Sequence, residues 1–291
     1  EVVCWTNAEG ARFPPPMMGA GAFAGLHELD WVLGQKDDDG LLFGDELAKI
    51  GYAGEAPVPG HELDSYFELH IEQGPVLEAE NVPVGIVTGG FVAFGYQVQF
   101  HGETAHSGPT PMEKRRNALV GAAYLIGAVN DIGWKYEPDA RSTTSRIQLW
   151  PNKYGILPDW AEVTVDIRHP DRDTARKMAD EVREAIDESA RKARVDVEIV
   201  KDWEFGCDDF SPECINLLRE KADELGIGCR DLLSQAGHDA YHIAKVAPTA
   251  LIFSPCKDGT THNESEHIEQ DDTLPAVNLL MHAVLERANR S

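Results

Sequence analysis

The chain has 291 residues, of which 42% are hydrophobic and 26% charged, a composition that suits a soluble globular protein with room for two domains. Fifty acidic against 26 basic residues give a formal net charge of −24, which repels phosphate backbones and anionic lipid and so argues against nucleic-acid and membrane partners. No apolar run approaches the ~20 residues that span a bilayer. The cysteines at 4, 207, 214, 229 and 256 are odd in number and contain no CxxC pair. They read as free, mostly buried thiols in a reducing cytoplasm rather than as a disulfide framework or a thiolate zinc site.

The opening "EVVCWTNAEG" reads as a strand followed by a polar turn that carries Ala8 and Glu9. Residues 34–64 mix acids, glycine and proline and predict loop with short helix. "SYFELHIEQG" predicts a strand ending in a glycine turn, and Gly89-Gly90 marks a hinge. "FVAFGYQVQFHG" predicts a strand. In "EKRRNALVGAAYLIGAVNDIG", Ala118, Ala122, Leu125 and Val129 recur at helical spacing. "STTSRIQLW" and "AEVTVDIRH" alternate like half-buried strands. "DRDTARKMADEVREAIDESARKA" is an amphipathic helix with Met178, Val182 and Ile186 on one stripe, and "RVDVEIVKDW" alternates again. This β-α-β-β-α-β order predicts a ferredoxin-like unit over 89–204, inserted into an α/β domain made of 1–88 and 205–291. The second piece contributes the helix "SPECINLLREKADELG", the loop "SQAGHDA", the buried strand "PTALIFSP", a polar loop and a closing helix "LPAVNLLMHAVLERANR".

Open α/β sheets place their sites at the carboxyl ends of strands. Glu9, His70 and His262 each follow a strand-like run, and one glutamate with two histidines makes a set of zinc ligands that leaves a water position open. Singly, each reads first as a structural or solvated residue; it is the combination that brings the functional reading level with that one. His106, held among Gly108, Pro109 and Pro111, is placed to donate to an oxyanion or carry a proton, or is an incidental surface turn. Arg168, at the end of a half-buried strand, can grip a substrate carboxylate with two parallel bonds, or pair with Asp166 or Asp171. The segment 236–240, "AGHDA", can begin a helix with its backbone facing a ligand. His101, His242, His267 and His282 belong to no constellation.

Seven stretches together, "WTNAEGARFPPPMMGAGAFAG", "ELHIEQGPVLE", "GETAHSGPTPM", "PNKYGILP", "VDIRHP", "AGHDA" and "PCKDGTTHNESEH", resemble the zinc-dependent amidohydrolases that include N-carbamoyl-L-amino acid hydrolases, β-ureidopropionases and allantoate amidohydrolases, within the aminoacylase-like metallopeptidase group. The resemblance runs in family order along nearly the whole chain. It implies a zinc-peptidase-like catalytic domain with two divalent metal ions per subunit. Zinc is the expected metal, with manganese, cobalt or nickel as alternatives. It also implies an inserted lid that pairs subunits into a homodimer. Glu9, His70 and His262 match metal ligands; Gln73, Arg168 and Gly237 match substrate contacts. His106 matches the lid histidine that stabilises the tetrahedral intermediate in a neighbouring subunit's site.

Three departures accompany the resemblance. Ala8 stands where the family has a glutamate that deprotonates the metal-bound water. The family's earlier ligands, a histidine and a bridging aspartate, fall upstream of the match, so the chain reads as an N-terminally truncated piece of a longer polypeptide. Gly155 replaces an asparagine that helps bind substrate in many members. The expected activity is hydrolysis of the linear C–N bond of N-carbamoyl (ureido) amino acids or related ureido acids. The alternatives are a catalytically dead member that binds small molecules, and a related acyl-amino-acid deacylase or peptidase.

Overall fold

The computed structural model describes residues 1–206 and 210–290, so the expected free thiol of Cys207 lies outside the described residues. Cys4, Cys214, Cys229 and Cys256 are free thiols. Two compact units are present, one of 1–90 with 207–291 and one of 91–206.

The first unit opens with short helices α1 (Met18–Phe23), α2 (Leu29–Leu33) and α3 (Phe43–Lys49), then strand β1 (Tyr66–Ile71), helix α4 (Val76–Glu80) and strand β2 (Val84–Gly90). The second unit contains β3 (Val92–His101), the two-residue β4 (Ala105–His106), α5 (Ala118–Lys135), β5 (Arg141–Thr143), β6 (Ile147–Trp150), the short β7 (Ile156–Leu157), β8 (Trp160–His169), α6 (Arg172–Ala193) and β9 (Asp196–Phe205). The chain then returns to the first unit with α7 (Pro212–Leu225), β10 (Cys229–Ser234), the one-turn α8 (Ala240–Ile243), β11 (Thr249–Ser254) and α9 (Gln270–Ala288). No helix among the described residues is long and apolar enough to cross a membrane.

The first unit is built on a sheet of order β1-β11-β2-β10. β1 runs parallel to β11, with Tyr66 opposite Thr249 and His70 opposite Phe253. β11 is antiparallel to β2, and β2 is parallel to β10. All six residues of β11 are buried, which is why "TALIFS" is apolar without alternation. Gly89 and Gly90 lie inside β2 and pair with Leu233 and Ser234, at the boundary between the two units. A Cβ on Gly90 would sit 1.9 Å from the Tyr241 hydroxyl, so close packing rather than flexibility requires glycine there. The expected opening strand is absent: residues 1–5 pair with no strand, and Val2 and Val3 are exposed. β-favouring side chains do not make a strand without a hydrogen-bonded neighbour.

In the second unit the sheet order is β5-β8-β3-β9, all antiparallel, with β6 also pairing β8. This is the strand order of a ferredoxin-like sheet. The "STTSRIQLW" segment forms two short strands rather than one. Helix α5 starts at Ala118 rather than Glu113, because the Asn117 side chain caps it by accepting from Leu119 N (3.0 Å). Asp171 caps α6 in the same way through Thr174 N (2.8 Å). Alternate residues of β3 and β8 (Tyr96, Val98, Phe100; Val163, Val165, Ile167) meet Ala122, Leu125 and Val129 of α5 and Met178, Val182 and Ile186 of α6 in one core.

Leu125 is fully buried in that core. Leu125→Ala is expected to lower unfolding stability by about 2–5 kcal/mol, read by chemical denaturation of the protein.

Candidate active site

The parallel pairing of β1 and β11 brings their carboxyl ends side by side, and the loops that leave them, 72–75 and 255–266, are pinned to each other. Glu72 N donates to Ser254 O (2.8 Å), and Asp258 N donates to a Glu78 carboxylate oxygen (2.7 Å). The backbone N–H groups of Gln73 and Gly74 meet the buried Cys256 thiol, which burial pushes up. A Cβ on Gly259 (φ +61°) would lie 2.5 Å from the Gly74 carbonyl carbon, so only glycine lets the loops approach this closely. Gln73 (φ 57°) and His262 (φ 55°) both adopt left-handed backbone conformations, which non-glycine residues hold only where the surroundings impose them.

Two of the three expected metal ligands meet. His262 Nε2 lies 3.0 Å from a Glu9 carboxylate oxygen, and both side chains are largely exposed. His70 stands at the end of β1 with its Nδ1 2.8 Å from the Ile71 carbonyl oxygen. The carbonyl can only accept, so Nδ1 carries the proton, and in the neutral ring Nε2 is then the nitrogen with the lone pair, the arrangement of a ligating imidazole. The trio does not close into one cluster, however: among the described residues no group of three His, Cys, Asp or Glu side chains is gathered to hold a metal. One carboxylate and two imidazoles are the right donor types for zinc, but they fall short of a full coordination shell. Ala8 lies in the turn beside Glu9 and contributes a backbone carbonyl, which accepts from Met17 N (3.0 Å), and a methyl group with no acid–base capacity.

A buried polar row that the sequence reading missed lies behind these residues. Tyr66, Glu68 and His70 alternate along β1 and so share one face. Trp5 Nε1–H donates to the Tyr66 hydroxyl (2.9 Å), which donates to Glu68 (2.8 Å); the same Glu68 oxygen accepts the Ala240 N–H (2.9 Å). His238, 3% exposed, sits with Nδ1 3.8 Å from Glu68 and Nε2 2.7 Å from Ser234 Oγ, its ring edge-on to His70 at 4.6 Å. Period-two spacing on β1 was the available signal for Glu68; nothing local in "AGHDA" announces that His238 crosses this face. Gly237 is half-buried between β10 and α8. Helix α8 begins at Ala240 and is a single turn.

Burial pushes Glu68 up to about 7, with Asp239 adding repulsion against the Tyr66 and Ala240 hydrogen bonds. Burial and the nearby Glu9 likewise raise Asp239 to about 6. Of the histidines outside any constellation, His242 packs edge-on to His27 and is lowered to about 4 by burial.

The other two expected residues lie in the 91–206 unit. His106 forms the end of β4, opposite Ile156 of β7, and its Nδ1 accepts the Gly108 N–H (3.0 Å). A neutral ring then carries its proton on Nε2, so the exposed edge is a donor. Gly155, at φ +83°, accepts the Ser107 N–H (2.9 Å) and completes the turn that carries His106; asparagine also tolerates this conformation. Arg168 forks onto Asp166 (Nε–Oδ1 2.7 Å, Nη2–Oδ2 3.0 Å) and lies over the Phe205 ring.

The raised Glu68 carboxyl binds a proton in the folded state over a pH range where the unfolded chain has lost it. Its contribution is present below the ordinary value of 4.5 and is lost as pH rises toward about 7. Glu68→Gln is therefore expected to remove this falling contribution, so that between about pH 4.5 and 7 the variant's stability declines less with pH than that of the wild type, as measured by denaturation at a series of pH values.

Residues 1–286 match the model of peptidase family M20/M25/M40. The chain is 38% identical over 287 residues to an N-carbamoyl-L-amino-acid amidohydrolase of Rhizobium meliloti, covering 99% of this chain and 69% of that protein. It is 29% identical over 286 residues to the allantoate amidohydrolase of Escherichia coli, covering 96% and 69%. The crystal structure of a hydantoinase/carbamoylase family amidase from Burkholderia vietnamiensis superposes with a TM-score of 0.92 at 42% identity, over 98% of this chain and 69% of that one. The carboxyl-end loops that join Glu9 to His262 thus stand on a fold shared with C–N hydrolases, and the chain belongs to peptidase family M20/M25/M40.

Proposed function

We propose that this chain belongs to a metal-dependent amidohydrolase that cleaves the linear C–N bond of N-carbamoyl amino acids or related ureido acids. The observation that carries this reading is the Glu9–His262 contact at the carboxyl end of β11, next to a β1 histidine whose free nitrogen is set for ligation. The named activities of the Rhizobium and Escherichia relatives support it.

Glu9, His262 and His70 are the ligands this chain would give to a divalent ion, with zinc the fitting choice and manganese, cobalt or nickel compatible with the same donors. A metal bound there lowers the pKa of water and polarises the ureido carbonyl. The chain's own groups would do the rest. Gln73 and the Gly237 backbone contact the ureido group. Arg168, sharing its five donors with Asp166, holds the amino-acid carboxylate. His106 offers Nε2–H to the developing oxyanion, supplied from a neighbouring subunit. Pairing through the 91–206 unit is supported by strand β6 and its neighbourhood, where Ile147, Trp150 and Ile156 stand exposed.

Ala8 removes the group that would take the water's proton. It favours a second reading in which the chain binds ureido acids without turning them over. Restoring the base separates the two. Ala8→Glu, in a polypeptide that also supplies the part of the relatives' length not matched here, is expected to raise turnover of an N-carbamoyl amino acid by about 10²–10⁴-fold. No gain in a metal-replete assay would reject the base assignment. In the same polypeptide, His262→Ala is expected to weaken zinc binding by at least about tenfold in a calorimetric titration, and unchanged affinity would remove His262 from the ligand set.

A further inference from the structure

The loop that carries His106 is poor in donors of its own. Two of the six residues in "HSGPTP" (106–111) are prolines without an N–H, and Gly108 lets the peptide plane before it turn over at little cost. The missing donors come from outside the loop. Arg115, half-buried, uses one edge of its guanidinium as a fork: Nη2 donates to Ser107 O (2.7 Å) and Nε to Thr110 O (3.0 Å). Arg194 braces it from behind, with Nη2 donating to Met112 O (2.7 Å) and Arg115 O (3.3 Å). Ser107 C=O and Gly108 N–H are the two ends of one planar trans peptide, so they point in opposite directions. With the carbonyl held on Arg115, the N–H is aimed at His106 Nδ1, to which it donates (3.0 Å). Were the plane to turn over, the carbonyl would face Nδ1 and could only accept. The neutral ring would then carry its proton on Nδ1, and its exposed Nε2 edge could no longer donate.

We propose that Arg115 is a positioning residue that selects the donor tautomer of His106 by fixing the peptide plane between Ser107 and Gly108. It acts through one peptide group and not through the ring. The inference rests on the reading of His106 as the oxyanion donor given above, since only the Nε2–H tautomer can serve there. The adjacent arginine has a different task. Arg116 pairs with Glu103 (3.1 Å) and Asp196 (2.8 Å), and its Nε donates to Arg194 O (3.0 Å); among the described residues it bonds no part of 106–111.

The test reads the His106 ring directly, by long-range proton–nitrogen NMR of the protein at a pH of about 8, where an ordinary imidazole is neutral. The wild-type ring is expected to show one tautomer, protonated on Nε2, beside a slowly exchanging Gly108 amide. Arg115→Met keeps the length of the stem and removes the fork. It should give a mixture of the two tautomers and speed exchange of the Gly108 amide by about tenfold. Gly108 lies outside the left-handed region, and a Cβ built on it meets only the His106 ring, at 3.5 Å. Gly108→Ala in the Arg115→Met background should therefore restore the single tautomer, because a Cβ disfavours the positive φ that the turned-over plane needs. Arg116→Met removes neighbouring bonds without touching the loop carbonyls and should leave the ring unchanged. A wild-type proton on Nδ1 would overturn the proposal without any variant. So would an unmoved ring in Arg115→Met, an equal change in Arg116→Met, or no recovery with Gly108→Ala. None of these readouts needs turnover, so failure of the hydrolase reading, an absence of catalysis even with Ala8→Glu, is a separate result.

Discussion

The parallel pairing of β1 with β11 is the constraint on which the candidate site depends. Residues separated by about 190 positions in sequence, Gln73 and Thr261, come within hydrogen-bond distance only because these two strands run side by side in the same direction. The loops beyond the strand ends are then knitted by backbone bonds, a buried thiol and a glycine-limited contact. Three left-handed non-glycine residues, Gln73, Asp258 and His262, survive there because the surrounding bonds leave them no other conformation. Strain of this kind in a loop fixed at both ends is a means of holding side chains still.

Beneath that surface the sheet face is unusually polar. Placing Tyr66, Glu68 and His238 in the interior has a desolvation cost, which appears as the raised pKa of Glu68. Hydrogen bonds from Trp5, Tyr66 and Ala240 organise the row, and they tie the segment before Glu9 to the strand that carries His70. Residues 1–5, which form no strand, are anchored instead by the Trp5 side chain. The 91–206 unit owes nothing to this network. It has its own two-helix, one-sheet core, and a short hairpin within it sets the tautomer of His106.

Much of this was legible in the sequence wherever a residue's role follows from its near neighbours. Helical spacing located α5 and α6, strand-like composition located β3, alternation located β8 and β9, and the uniformly apolar "TALIFS" announced a buried strand. The errors arose where the outcome depends on a partner far away in the chain. "VVCWT" has strand-like side chains but pairs with no strand among the described residues. Glu9 and His262 were read as neighbours and are; His70 was grouped with them and joins no three-residue cluster among the described residues. Arg168 carried two readings; it forks onto Asp166, and its hold on a substrate carboxylate is a proposal.

By itself the sequence determined the element types, the inserted β-α-β-β-α-β unit and the donor chemistry of the candidate ligands, because periodicity and side-chain type are local properties. Only the tertiary structure decided the burial of Glu68 and His238 and the protonated nitrogen of His70 and of His106. Each of these is settled by which acceptor or apolar wall stands opposite a group, and that identity is fixed by strand register and loop packing rather than by the residues on either side.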